Sequence, residues 1–245
     1  MAGALFLGAS APGVFMNQYT LIRSARKTIA IYIRPNGDVE VRAPRRASAR
    51  AIEDFVRAKA QWIAEKRSLV LAQDEKRSRF SLDYNSRLLV LGEEWGLRTG
   101  RRGIQPGRTG YDLQGRQLIV PGGLEPDEIK SACERGYRTL ARDILPEKIE
   151  RYAARMGVTP ASIRISGAAS RWGSCSGKGN LNFSWRLMMA PGAVIDYVVV
   201  HELAHLREMN HSPRFWAIVA DTMPEYQVHR AALKQLQARL AEENW

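Results

Sequence analysis

Three of the four histidines, His201, His205 and His211, fall within eleven residues, and the first two frame the run His201-Glu202-Leu203-Ala204-His205. This HExxH pattern constrains the local fold as much as the chemistry. Residues four apart project from one face of an α-helix, so two imidazoles there reach one ion, while Glu202, one step round, reaches a water at that ion. A strand would hold the same two histidines ~13 Å apart at ~3.3 Å per residue, too far to share a ligand. Metal binding and helix therefore stand or fall together. The apolar residues Val194, Ile195, Tyr197, Val198, Val199, Val200, Leu203, Ala204 and Leu206 fall on nearly every side of that helix, which predicts that it is buried, and Pro191 suits its first turn.

Asn210 tolerates the left-handed conformation that ends helices, and Ser212-Pro213 is a good cap and first-turn pair for the next helix. A helix stopping at Asn210 would turn the backbone and carry His211 back towards His201 and His205. Three nitrogens and a fourth position open to water are the mark of a catalytic zinc site. Glu225, twenty residues after His205, is a competing third ligand; the break beside it favours His211. A developing oxyanion needs a second electrophile, and Tyr226, His229 and Arg171 are the available types. Trp172 and Trp216 are read as core rather than as a groove lining, and Cys175 as structural rather than as a thiol that silences the metal.

The formal charge is +12, and residues 1 to 120 carry 21 basic against 11 acidic groups. Such an excess suits nucleic acid, nucleotides or acidic peptides as partners, and equally suits a solvated face. Only Cys133 and Cys175 are present, without metal-type pairing, which fits a reducing cytoplasm. The opening run Met1 to Ala11 imitates a short secretory apolar region, but no Lys or Arg precedes Arg23. No stretch approaches the ~20 apolar residues of a membrane span, since even Val194 to Val200 is interrupted by Asp196. The expectation is a soluble protein with no membrane partner.

Apolar alternation through Ile29, Ile31 and Ile33, the turn Pro35-Asn36-Gly37-Asp38, then Val39 and Val41 predict a β-hairpin. A helix is expected from Ser48 or Ala49 through Ile63, with residues 68 to 80 a mobile connection or a continued polar helix. Strands are expected at 87–91, 95–99 and 117–120, with residues 100 to 110 a Gly- and Arg-rich loop. Pro126 opens a long helix, bent at Pro146 and stopped by Gly157; strands follow at 162–166 and 180–185, and the glycine-rich run Arg171 to Gly179 is expected as a loop. The organisation expected is a 1–18 extension of unclear role, a β-rich basic region over 19–120 with one helix, and a catalytic module over 121–245.

The segments Arg171-Trp172-Gly173-Ser174-Cys175, Arg186-Leu187, Pro191, Ile195 to Leu206 and Asn210-His211-Ser212-Pro213-Arg214-Phe215-Trp216 together resemble the YgjP-like metallopeptidase family, a relative of the SprT-like and WLM zincins. The hairpin and the helix bearing Trp62-Ile63 look like that family's N-terminal part, so the likeness spans most of residues 20 to 230. It implies an α+β zincin fold, one Zn2+ per chain held by His201, His205 and His211, Glu202 as catalytic base, and a peptide or protein substrate. Glu208 stands where metzincins place glycine, so their turn is not expected here. The family has also been linked to hydrolysis of nucleoside triphosphates, UTP among them, at the pyrophosphate bond. Analogy with SprT-like relatives offers a third reading, a protease tethered to nucleic acid by the basic N-terminal half.

Overall fold

The alternating residues around Pro35-Asn36-Gly37-Asp38 do close a hairpin: β2 (Ala30–Ile33) pairs antiparallel with β3 (Val39–Pro44) in the register Ile33 opposite Val39. Gly37 takes φ +82 in the turn and its N–H donates to the Arg34 carbonyl at 2.9 Å. The computed structural model describes residues 19–100, 109–243 and 245, so the 1–18 extension and most of the expected Gly- and Arg-rich loop lie outside the described residues. A further strand, β1 (Tyr19–Ser24), lies parallel to β3 and completes a sheet of order β1-β3-β2.

Val39, Val41 and Ala43 alternate onto one face of that sheet and are buried with Ile52 and Ile63. These two come from α1 (Ala49–Ala58), capped by the Ser48 hydroxyl accepting from Ala51 N–H at 3.1 Å, and from α2 (Ala60–Arg79). The single helix expected here is therefore two, separated at Lys59, whose φ of −107 leaves the helical range. Residues beyond Ile63 continue as a polar helix rather than as a loose connection.

The chain divides into two units after Arg79. The second carries a sheet of order β4-β5-β7-β6, built from β4 (Arg87–Val90), β5 (Glu93–Thr99), β6 (Gly110–Asp112) and β7 (Gln117–Val120). Leu88, Val90, Trp95, Leu118 and Val120 from this sheet share one core with the helices that follow. Residues 80–120 thus pack with the helices of the second unit.

α3 (Pro126–Met156) runs without interruption through Pro146 and stops at Gly157, which takes φ +63. Its buried residues Ile129, Cys133, Tyr137, Leu140, Leu145 and Ile149 recur at three- to five-residue steps and form one stripe. After it come β8 (Ser162–Ser166), β9 (Gly173–Cys175) and β10 (Asn180–Ser184), paired in the order β8-β10-β9, then a 3-10 turn over Trp185–Met189. Three helices close the chain: α4 (Gly192–Ala204), α5 (Pro213–Thr222) and α6 (Tyr226–Glu242). Trp185 is fully buried and stacks on Tyr137 at 5.5 Å, joining the 3-10 turn to α3. Each fully buried Leu, Ile, Val or Phe of such a core contributes about 1.5–3 kcal/mol. The architecture is α+β, and among the described residues no helix is long and apolar enough to cross a membrane.

Two features fix α4, the helix bearing the HExxH run. At its start the β4–β5 turn presses on Pro191, with Leu91 N–H donating to Met188 carbonyl at 2.7 Å. Gly92 is needed there: its φ is +84, and a Cβ would meet the Pro191 Cα at 2.9 Å. Along its length Asp196 accepts from Lys148 Nζ at 2.7 Å and Arg151 at 3.0 Å, tying α4 to α3.

Candidate metal centre

Val194 to Ala204 bury almost every side chain of α4, as its apolar residues demand, and His201 and Glu202 ride on its last turn. The helix ends sooner than the sequence suggested. Its last helical residue is Ala204 and His205 itself is the cap, with φ −64 and ψ −20. Leu206 and Arg207 then bond three residues back, at 3.0 Å each, so the chain tightens into turns well before Asn210. Ser212 caps α5 as expected, its hydroxyl accepting from Phe215 N–H at 3.3 Å.

This early turn brings His211 back to α4. Ring centroids of the three histidines lie 5.0 Å (His201 to His205), 5.0 Å (His201 to His211) and 4.8 Å (His205 to His211) apart. One ring nitrogen from each falls within 4.8 Å of the others, and among the described residues no other His, Cys, Asp and Glu gather in such a group. His201 Nε2 is 3.0 Å from His211 Nε2. Beneath them sits the fully buried Phe215, with its ring centroid 4.9, 4.6 and 4.7 Å from those of His201, His205 and His211.

The donor set suits a divalent ion. Burial, with smaller contributions from His205, His211 and Arg230, pulls the His201 pKa down to about 3, so its ring is neutral near pH 7 and offers a lone pair. Burial lowers His205 as well. His205 Nδ1 is 3.2 Å from the Glu208 carbonyl, which makes Nδ1–H the donor and leaves Nε2 free as a ligand. Glu225 is exposed where α6 begins and stands outside the histidine group.

Glu202 is buried, and burial raises its pKa to about 8 against a smaller opposing pull from Arg171. Its side chain lies flat on β9. A Cβ on Gly173 would fall 2.6 Å from Glu202 Cγ and 2.6 Å from its Oε1, so only glycine lets the strand approach the carboxylate. The stretch 173–175 is thus a strand, where a loop was expected: it pairs antiparallel with β10, Gly173 opposite Phe183, and Ser176 to Gly179 make the return turn. Cys175 is partly buried, and burial and the nearby Glu202 raise its pKa; it is not among the clustered ligands.

Of the three electrophile candidates, Arg171 acts electrostatically on Glu202. Tyr226 belongs to an aromatic ladder that starts at the histidine cluster. His211 stacks on Trp216 at 5.7 Å, Trp216 on Tyr226 at 5.3 Å, and Tyr226 on Tyr197 at 6.4 Å. The His229 side chain makes no hydrogen bond, ion pair or ring contact with a described residue. Sequence reasoning missed Arg230, whose guanidinium sits 4.9 Å over the Trp216 ring and acts on His201. Its position four residues after Tyr226, on the same face of α6, was the available signal. Trp172 and Trp216 are both half-buried against the core rather than enclosed in it, and Trp216 also packs on His201 and His211.

The raised pKa of Glu202 gives a stability prediction for the metal-free protein. A carboxyl that titrates at about 8 when folded, against 4.5 as its ordinary value, binds more protons folded than unfolded between those limits. Its contribution is complete below pH 4.5 and disappears as pH rises through about 8. Between pH 5 and pH 9 the melting temperature of the metal-free parent should therefore drop by roughly 5 °C or more relative to that of metal-free Glu202→Gln. Parallel melting curves across that range would refute the buried, uncompensated carboxyl.

None of the curated proteins compared matches the chain. Among solved structures, the metallopeptidase zymogen of Pyrococcus abyssi abylysin is similar at 22% identity, over 40% of this chain and 95% of that one, with a TM-score of 0.35. The YgjP-like, metallopeptidase domain matches residues 27–236, a span that includes both units and all three clustered histidines. The chain belongs to the YgjP-like metallopeptidase family.

Proposed function

We propose that the protein is a zinc-dependent peptidase whose ion is held by His201, His205 and His211 and whose general base is Glu202. The observation that carries this reading is the convergence of three imidazole nitrogens on the helix end that also carries the buried Glu202. A divalent ion held by these three imidazoles would supply Lewis acidity, the chemistry that lowers the pKa of a water and polarises a carbonyl. Glu202 then takes a proton from the attacking water on a carboxylate oxygen and passes it to the departing amine nitrogen. Gly173 keeps that carboxylate against β9, and the burial of Glu202 limits competing bulk water. Tyr226 and Arg230 are the groups beside the histidines able to bind the developing oxyanion.

The test is incubation of the zinc-loaded protein with a mixture of unfolded proteins and peptides, with products read by mass spectrometry and nucleoside triphosphates assayed in parallel. Peptide cleavage that stops with a chelator and returns with zinc is the expected result. Intact peptides beside release of pyrophosphate from a triphosphate would overturn the peptidase reading in favour of a nucleotide hydrolase using the same ion.

Gly173→Ala probes the placement of Glu202 separately from metal binding. The added methyl displaces a carboxylate by a fraction of an ångström to about 1 Å, and misplacement on that scale costs about a hundredfold in rate. The expected outcome is kcat down by that factor, with KM and bound zinc close to those of the parent. A variant with full kcat would remove Gly173 from the account.

A further inference from the structure

The sheet β8-β10-β9 turns two chemically distinct faces outward and inward. Leu181 and Phe183 of β10 are fully buried in the core, so the residue between them, Asn182, points the other way. Register puts Arg164 of β8 and Ser174 of β9 beside it on that outer face. The face is not flat: it carries a depression of about 620 Å³, lined by ten residues of which two are Arg and none is Asp or Glu. Arg164 enters it from β8 and Arg171 from the segment leading into β9.

Both arginines are exposed, and among the described residues neither makes an ion pair or a side-chain hydrogen bond. Nearby, Arg151 binds Asp196 and Arg186 donates to the Gly167 carbonyl. Two guanidiniums that form no salt bridge, flanked by the Asn182 amide and the Ser174 hydroxyl, form a donor set with a net positive field. Two of its lining residues, Arg171 and Cys175, also lie within electrostatic reach of Glu202. Arg171 acts electrostatically on Glu202, and β9, which supplies Ser174 and Cys175 to the rim, is the strand against which Glu202 lies.

We infer that this depression is a substrate subsite for a carboxylate, in which Arg164 and Arg171 seat an Asp or Glu side chain of the peptide being cleaved. The assignment rests on the peptidase reading for its ligand, and it adds a substrate class: acidic peptides. Guanidinium forks bind carboxylates through paired, charge-assisted hydrogen bonds, so the preference is carried by both arginines together and weakens with salt.

The test is binding, scored without turnover. Zinc-loaded Glu202→Gln is titrated with an end-capped penta-glutamate, an end-capped penta-glutamine and inorganic phosphate, and compared with the same protein carrying Arg164→Gln alone or with Arg171→Gln. Penta-glutamate should bind about tenfold or more tightly than penta-glutamine, with the preference reduced by Arg164→Gln and gone in the double change. Zinc content and melting temperature of each variant establish that it is folded. Equal affinity for the two peptides, or a preference that survives the double change, overturns the subsite. Phosphate binding more tightly than penta-glutamate overturns its assignment to a peptide carboxylate. Failure of the parent to cleave any peptide counts instead against the peptidase reading, so the two ideas fail separately.

Discussion

Glu202→Gln is expected to abolish hydrolysis while leaving the metal in place. Glutamine keeps the size of the side chain and its fit against Gly173, but it cannot accept a proton from water. General-base catalysis contributes about 10²–10⁴ in rate, so kcat should fall within or beyond that range with little change in KM. Bound zinc should stay at the parent level, because Glu202 is not one of the three clustered ligands. A variant that retains more than about a tenth of the parent rate would take Glu202 out of the chemistry. Loss of zinc together with activity would make Glu202 a ligand rather than a base.

His205→Ala is expected to have the largest effect on metal affinity. This residue is buried, caps α4, and has Nδ1 committed to the Glu208 carbonyl, so its Nε2 is the most firmly oriented of the three donors. Loss of an oriented inner ligand should exceed the 10–100-fold cost typical of removing an outer hydrogen-bond partner. Zinc should therefore be lost on dialysis, and hydrolysis with it. The fold should survive, since α4 is held by its apolar residues and by Asp196 to α3. Circular dichroism and metal analysis on one sample separate the two outcomes; full zinc with a native spectrum would exclude His205 as a ligand.

The site was legible in the sequence to the extent that it depends on spacing. His201, Glu202 and His205 are set by helical geometry, and the Ser212-Pro213 cap that returns His211 is a local signal. The end of α4 was not legible, because Leu206 to Asn210 contains no strong helix breaker before Asn210; the turns that replace the helix there are stabilised by short bonds back to Leu203 and Ala204. Nor was β9. Three residues beginning with glycine carry no alternating pattern, and their strand conformation is imposed by β10 on one side and by Glu202 on the other. β1 escaped detection for a related reason: its partner β3 is parallel and about twenty residues away, and the hydrophobic pair Leu21-Ile22 breaks alternation. The grouping of residues 80–120 depended on which helices cover β4 to β7, a long-range property that strand propensity does not encode.

The most direct measurement is the zinc content of the parent, His211→Ala and Glu225→Ala, each purified without chelator and then supplied with zinc. The account predicts about one zinc per chain in the parent and in Glu225→Ala, and little in His211→Ala. No zinc in the parent, or zinc lost with Glu225 and kept without His211, would contradict it.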